Sequence, residues 1–213
     1  MAILTGPEIR KRVAAGEIKV YPYDERLVQQ NSLDVRLGTG VCVYEDVVYD
    51  NHAEDVRHNG AGWVGKTIDS FKQSKKLTLF EKEALDVKRD NPVRRFEMDE
   101  SGWLVKPGFL YLMHVDEVLC APDLVMTLDG RSSLARLGLT VHVTAGHAET
   151  GFHGQYTLEV FGLHPLRIYP GMSIAQVIFK TVAGEIEDYK QRGNYVGQAA
   201  LGAQPSRSWR AFQ

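Results

Sequence analysis

The sequence predicts a mainly β chain, a barrel or sandwich of short strands preceded by one short helix. Two observations carry that prediction. Six apolar-rich segments with alternating or β-branched residues are separated by turn-forming residues. No internal repeat, heptad or low-complexity tract competes with them. With 213 residues, 44% of them hydrophobic, the chain is long enough to bury one sizeable core and fits a single domain over residues 1–213.

The helix comes first. Thr5 or Gly6 followed by Pro7 and Glu8 makes an N-terminal signal, Ile9 and Val13 form an apolar i, i+4 pair, and Gly16 marks the end. The expected strands follow at 33–38 (LDVRLG), 41–49 (VCVYEDVVY), 108–120 (GFLYLMHVDEVLC), 139–145 (LTVHVTA), 155–162 (QYTLEVFG) and 174–182 (IAQVIFKTV). Residues 45–105 read as a variable, polar excursion, with charge-rich EKEALDVKRD and room for one hairpin between 50 and 103. Residues 189–213 are glycine-rich and polar with isolated aromatics, the composition of an arm rather than a core strand.

Charge and cysteine content narrow the function classes. A net charge of −2 and a pI near 6.4 give no basic field to recruit nucleic acid, so an anionic ligand must be held by local charges. Cys42 and Cys120 stand in unlike contexts without a C-x-x-C, which argues against a disulfide framework and for a reducing, cytoplasmic setting. No long apolar h-region follows Met1, and nowhere do eighteen apolar residues run together, so neither secretion nor a membrane partner is expected.

Two local patterns carry candidate chemistry. His147-Ala148-Glu149 matches the H-x-E half of the zinc deaminase signature, but the downstream P-C-x-x-C that would complete the metal shell is missing. His142, His147 and His153 are five and six residues apart across two glycines, a spacing that suits neither a strand face nor a helix face. They read as surface or loop histidines. The segment DGRSSLARLGL at 129–139 is different: a glycine, two hydroxyls and two guanidiniums together offer donors for several oxygens of one phosphate chain. It matches neither the Walker motif nor G-x-G-x-x-G, and the bland reading is a capped turn with solvated charges. In QYTLEVF, Glu159 lies between Leu158 and Val160, so its side chain takes the face opposite theirs.

The order of these segments resembles the dCTP deaminase family of the dUTPase-like superfamily. The resemblance runs through SLDVRLG at 32–38, DGRSSLARLGL at 129–139, HVTAG at 142–146, GFHGQYTLEV at 151–160, YPGMSIAQVIF at 169–179, and NYVGQ with PSRS near the end. About residues 45–105 have no counterpart in it. It implies a distorted β-barrel of the dUTPase-like type, assembled as a homotrimer with sites at subunit interfaces and a C-terminal arm that closes them. It also implies zinc-independent deamination of dCTP.

Carried over by position, Glu159 resembles the general base that takes a proton from water and passes it to the pyrimidine N3. Arg136 resembles the cation that stabilises charge developing at the tetrahedral centre. Ser132 and the Ala145 carbonyl resemble the groups that position the water, and Arg131, Ser132 and Ser133 the phosphate cradle. Thr157 and Leu158 join the substrate-binding set beside Glu159, as do Tyr189 and Gln198 in the arm. Where the family pattern has a lysine, this chain has Asn194, with Lys190 and Arg192 as the alternative cations. Mg²⁺ is implied as the companion of the triphosphate, and dTTP as a feedback inhibitor.

Glu149 resembles the acid that contacts the deoxyribose 3′-hydroxyl, a position where many members have aspartate. The extra methylene displaces that carboxylate by roughly 1.5 Å, one carbon–carbon bond, which favours dUTP as the product. The alternative, conversion through to dUMP, is favoured by PYDERLVQQNSLDVRLG, HVTAG and PSRSWRAF, which resemble members that form dUMP. A non-catalytic nucleotide-binding regulator is a third reading, against which stand intact Arg136 and Glu159.

Overall fold

The computed structural model describes residues 2–44, 85–186, 195 and 202–213. Helix α1 spans Gly6–Ala14, with Thr5 extended at its N-cap and Pro7 in its first turn. Pro7 costs nothing there because the first N–H groups of a helix have no internal partner. Ile9 is fully buried beneath it, Glu8 and Arg12 bridge one turn at 2.8 Å on the outer face, and the chain leaves through Gly16 at φ 75°.

The remaining elements are short strands: β1 (Lys19–Tyr21), β2 (Leu33–Arg36), β3 (Gly40–Tyr44), β4 (Val93–Glu97), β5 (Trp103–Val105), β6 (Tyr111–His114), β7 (Val118–Cys120) and β8 (Leu124–Gly130). After a one-turn helix α2 (Ser132–Ala135) come β9 (Leu139–Thr140), β10 (His147–Ala148), β11 (His153–Gly154), β12 (Thr157–Gly162), β13 (Leu166–Ile168) and β14 (Ser173–Thr181). They form four sheets, ordered β1-β7-β11, β10-β8-β14-β2, β4-β3-β6-β12-β9 and β13-β5. The chain is thus mainly β, and every pairing among these strands is antiparallel. The sheets share one principal core in which Val35, Met113, Leu128, Leu158, Val177 and Phe179 are almost wholly buried. Strand β12 alternates half-buried and buried residues, so Leu158 and Val160 enter that core while Thr157 and Glu159 face outward.

Several expected boundaries change. The segment 108–120 is two strands, because Val115–Glu117 turns out of line and Glu117 takes up the backbone N–H and the guanidinium of Arg36 at 2.9 and 2.7 Å. Burial pushes the Glu117 carboxyl up, and its bonds to Arg36 oppose that rise. Of 139–145, only Leu139 and Thr140 are strand. The part of 45–105 within the described residues contains no hairpin of its own: β4 pairs with β3, and β5 with β13. Residues 129–139 finish β8 and then form α2, after which the chain turns at Gly138 with φ 81° into β9.

One glycine is fixed by packing rather than by its own dihedrals. A Cβ on Gly38 would run into the His114 imidazole, and that ring is held in place because Nε2 accepts from Gly40 N–H at 3.1 Å and Nδ1 lies 2.8 Å from the Val115 carbonyl. Gly38→Ala is therefore expected to lower stability by about 1–3 kcal/mol, the usual range for overpacking. Urea unfolding with an unchanged midpoint would contradict this.

Candidate functional site

The site is built from two regions, the turn after β8 and the outer face of the sheet carrying β12. Strand β8 delivers Asp129 and Gly130 to its end, where Arg131 is extended (φ −88°, ψ 131°) and caps α2. Ala135 N–H donates to Arg131 O and Arg136 N–H to Ser132 O, which closes the turn, and Leu134 packs it against the core. Ser132, Ser133 and Arg136 are exposed, and Arg131 is half-buried. Arg131 Nη1 donates to Asp34 Oδ2 on β2, which also accepts from Gln29 Nε2 at 2.9 Å.

On β12, Glu159 sits opposite Leu112 of β6, which sits opposite Cys42 of β3, itself opposite Arg95 of β4. Directly opposed residues share a face, so a row of Glu159, Leu112, Cys42 and Arg95 crosses four strands. The half-buried Glu159 accepts a hydrogen bond at its Oε2 from Val143 N–H at 2.8 Å, and its own N–H donates to Val141 O. Val143 and Ala145 belong to an exposed stretch anchored at Gly146, whose carbonyl accepts from Leu128 N–H. The same stretch thus holds the carboxylate and presents the Ala145 carbonyl nearby in sequence.

The C-terminal segment lies across this face. Backbone N–H groups of Gly202, Gln204 and Ser206 donate to Gln155 Oε1, Thr157 Oγ1 and Tyr44 OH at 3.0–3.1 Å, and Arg95 Nη1 donates to Ala203 O at 2.9 Å. Ala203 is buried against Cys42, Tyr44 and Leu112. The arm therefore contributes to a packed cluster at its far end, which its glycine-rich composition hid. Burial pushes the Tyr44 phenol up, the Ser206 N–H opposes this, and the nearby charge of Glu159 adds to the rise. A cavity of about 310 Å³ opens between this strap and the sheet, lined by Cys42, Arg95, Glu97, His114 and Gln155.

The expected site residues are thus distributed as follows. Glu159 and Thr157 share the outer face of β12, but Thr157 is engaged by Gln204 of the strap. The Leu158 side chain is wholly within the core, which leaves its backbone to face a ligand. Ser132 and Ser133 lie on α2 and Arg136 at its C-cap, and no hydrogen bond or ion pair among the described residues joins Ser132 or Arg136 to Glu159. Glu149 follows β10, exposed, with Oε2 3.7 Å from His147 Nε2. His147 and His153 stand on different sheets, and no group of three metal-ligating side chains gathers among the described residues. Tyr189, Asn194 and Gln198, with Lys190 and Arg192, lie outside the described residues. Asp34, Gln176 and Tyr44 were missed. The signal for Asp34 was a charged residue between Leu33 and Val35, both of which enter the core.

The family model described as dCTP deaminase-like matches residues 3–74 and 64–182. A Leptospira biflexa protein named "dCTP deaminase, dUMP-forming" is 39% identical over 99% of this chain and 98% of its own length. Proteins of the same name from Cytophaga hutchinsonii and Hathewaya histolytica are 35% and 33% identical, each over 99% of both chains. Among solved structures, 2′-deoxycytidine 5′-triphosphate deaminase from Agrobacterium tumefaciens matches with a TM-score of 0.56 at 19% identity. That match covers 87% of this chain but 48% of the other, and it speaks to the fold alone. The relatives' names overturn the expectation of dUTP as product, which rested on the length of Glu149. Its side chain is 66% exposed, and a long, solvated side chain reaches different positions through its rotamers, so one methylene does not set where its carboxylate lies. By the family match over most of its length and by these relatives, the chain belongs to the dCTP deaminase-like family.

Proposed function

We propose that this chain converts dCTP to dUMP, taking two waters and releasing ammonia and pyrophosphate. The observation that carries this reading is the run of dUMP-forming relatives aligned over 99% of the chain. For the ring chemistry, Glu159 takes a proton from water and delivers it to N3, hydroxide adds at C4, and ammonia leaves as the tetrahedral centre collapses. The Val143 N–H at 2.8 Å fixes the carboxylate for this role. Arg136 stabilises the charge that develops on addition, while Ser132 and the Ala145 carbonyl position the water. For the phosphoryl step, a second water attacks the α-phosphorus and pyrophosphate departs, with Glu149 facing the deoxyribose 3′-hydroxyl and that water.

Arg131, Ser132 and Ser133 hold the phosphates. Beside Arg131, Ser132 and Ser133, a Mg²⁺ accompanying the triphosphate would help to neutralise its charge. The donor set of the described residues, hydroxyls and guanidiniums around α2, suits a phosphate chain rather than a bare cation. Glu159 and the α2 side chains act across an interface between copies, in a homotrimer. The absence of any bond from Ser132 or Arg136 to Glu159 within the described residues supports that division. A free nucleotide substrate supports a cytoplasmic setting.

Ammonia release from dCTP in the presence of Mg²⁺ tests the reading. It is expected to continue unchanged after treatment with a zinc-selective chelator once Mg²⁺ is restored. No ammonia from dCTP would overturn the function, and activity lost with stoichiometric zinc would overturn the zinc-free chemistry.

A further inference from the structure

Two polar bridges that start from buried side chains converge on consecutive residues at the head of α2. Asp34 and Ser32, 4% and 6% exposed, both lie on the β2 side of the sheet. Asp34 Oδ2 accepts from Arg131 Nη1 and from Gln29 Nε2. Ser32 Oγ donates to Gln176 Oε1 at 3.0 Å, and Gln176 Nε2 donates onward to Gly130 O at 3.3 Å. The strand register sets this up, because Gln176 of β14 stands between Asp34 of β2 and Asp129 of β8. One bridge therefore holds the side chain of Arg131, and the other holds the peptide just before it.

A buried carboxylate is costly unless it is paired and hydrogen-bonded, and an apolar pair across β2 and β14 would serve the core as well. The arrangement also leaves Arg131 half open. Only Nη1 is committed to Asp34, and the side chain remains 32% exposed. A guanidinium presents five N–H donors in a rigid plane, so fixing one edge aims the rest.

We infer that Asp34 is a positioning residue for the phosphate site: it orients the Arg131 guanidinium so that its free edge meets the triphosphate. This rests on the reading of Arg131 as a phosphate contact. Asp34 itself touches no substrate and acts through Arg131. Preorganising a donor in this way lowers the ordering cost of binding, so losing it weakens binding more than it slows chemistry.

The test is a double-mutant cycle read in dCTP kinetics, using Asp34→Asn, Arg131→Ala and the pair. Asp34→Asn is expected to raise KM for dCTP by about tenfold while kcat stays within about threefold. In the Arg131→Ala background the same change is expected to alter KM by less than about twofold, because the group it positions is gone. Effects that simply multiply would show that Asp34 acts independently of Arg131 and would overturn the inference, as would an unchanged KM. Should Asp34→Asn not fold, Asp34→Glu, which keeps the charge but shifts it, is expected to give the same KM effect and the same loss of it without Arg131. Absence of turnover in the unsubstituted protein would sink the proposed function instead. The cycle is then read in dCTP affinity by calorimetry, with the same coupling expected and multiplying effects overturning it.

Discussion

Replacing Glu159 with Gln is expected to cut deamination of dCTP by about 10² or more while dCTP still binds. Gln keeps the size of the side chain, and its amide oxygen can still accept from Val143 N–H, the bond that fixes Glu159 at 2.8 Å. The fold should survive, because Glu159 lies on the outer face of β12 whereas Leu158 and Val160 fill the core. What the amide cannot do is take a proton from water and return it to the ring. Turnover above about a tenth of the unsubstituted rate would remove Glu159 from the base role.

Mixing two inactive proteins is expected to restore activity. Arg136 is exposed at the end of α2, makes no ion pair with Glu159 among the described residues, and carries the charge proposed to stabilise the addition step. If each site takes Glu159 from one copy and Arg136 from its neighbour, Glu159→Gln and Arg136→Ala lie on opposite sides of one interface. After subunit exchange at equal concentrations, about a quarter of the sites should be intact by chance, since each side is sound half the time. Steady-state turnover near a quarter of the unsubstituted level is the expected result. A mixture no more active than its components would contradict a site shared between copies.

How much of this was legible in sequence depended on how local each signal was. α1 could be read because Pro7, Ile9, Val13 and Gly16 mark its start, its buried face and its end within three turns. β12 and β14 could be read because each buries one face and alternates accordingly. β8 could not. Its residues 124–126 are buried in succession, which erases the alternation, and its far end runs into the glycine and polar residues of the phosphate-like segment. β10 and β11 are two residues each, too short for any period. Among site residues, the α2 side chains announced themselves by composition. Asp34 showed only as a charge between two core residues, and its partner could not be read, because Arg131 is 97 positions away and only the β2-β14-β8 order brings them together. The contacts of the strap were hidden for the same reason. Nothing in GAQPSR indicates that alternate N–H groups will find Gln155, Thr157 and Tyr44 on two other segments.

The most direct test of the central claim is to separate the uracil nucleotides formed as the purified protein consumes dCTP with Mg²⁺. The account predicts dUMP as the end product, with pyrophosphate and ammonia each released once per dCTP consumed. Accumulation of dUTP as the end product, without pyrophosphate, would contradict it.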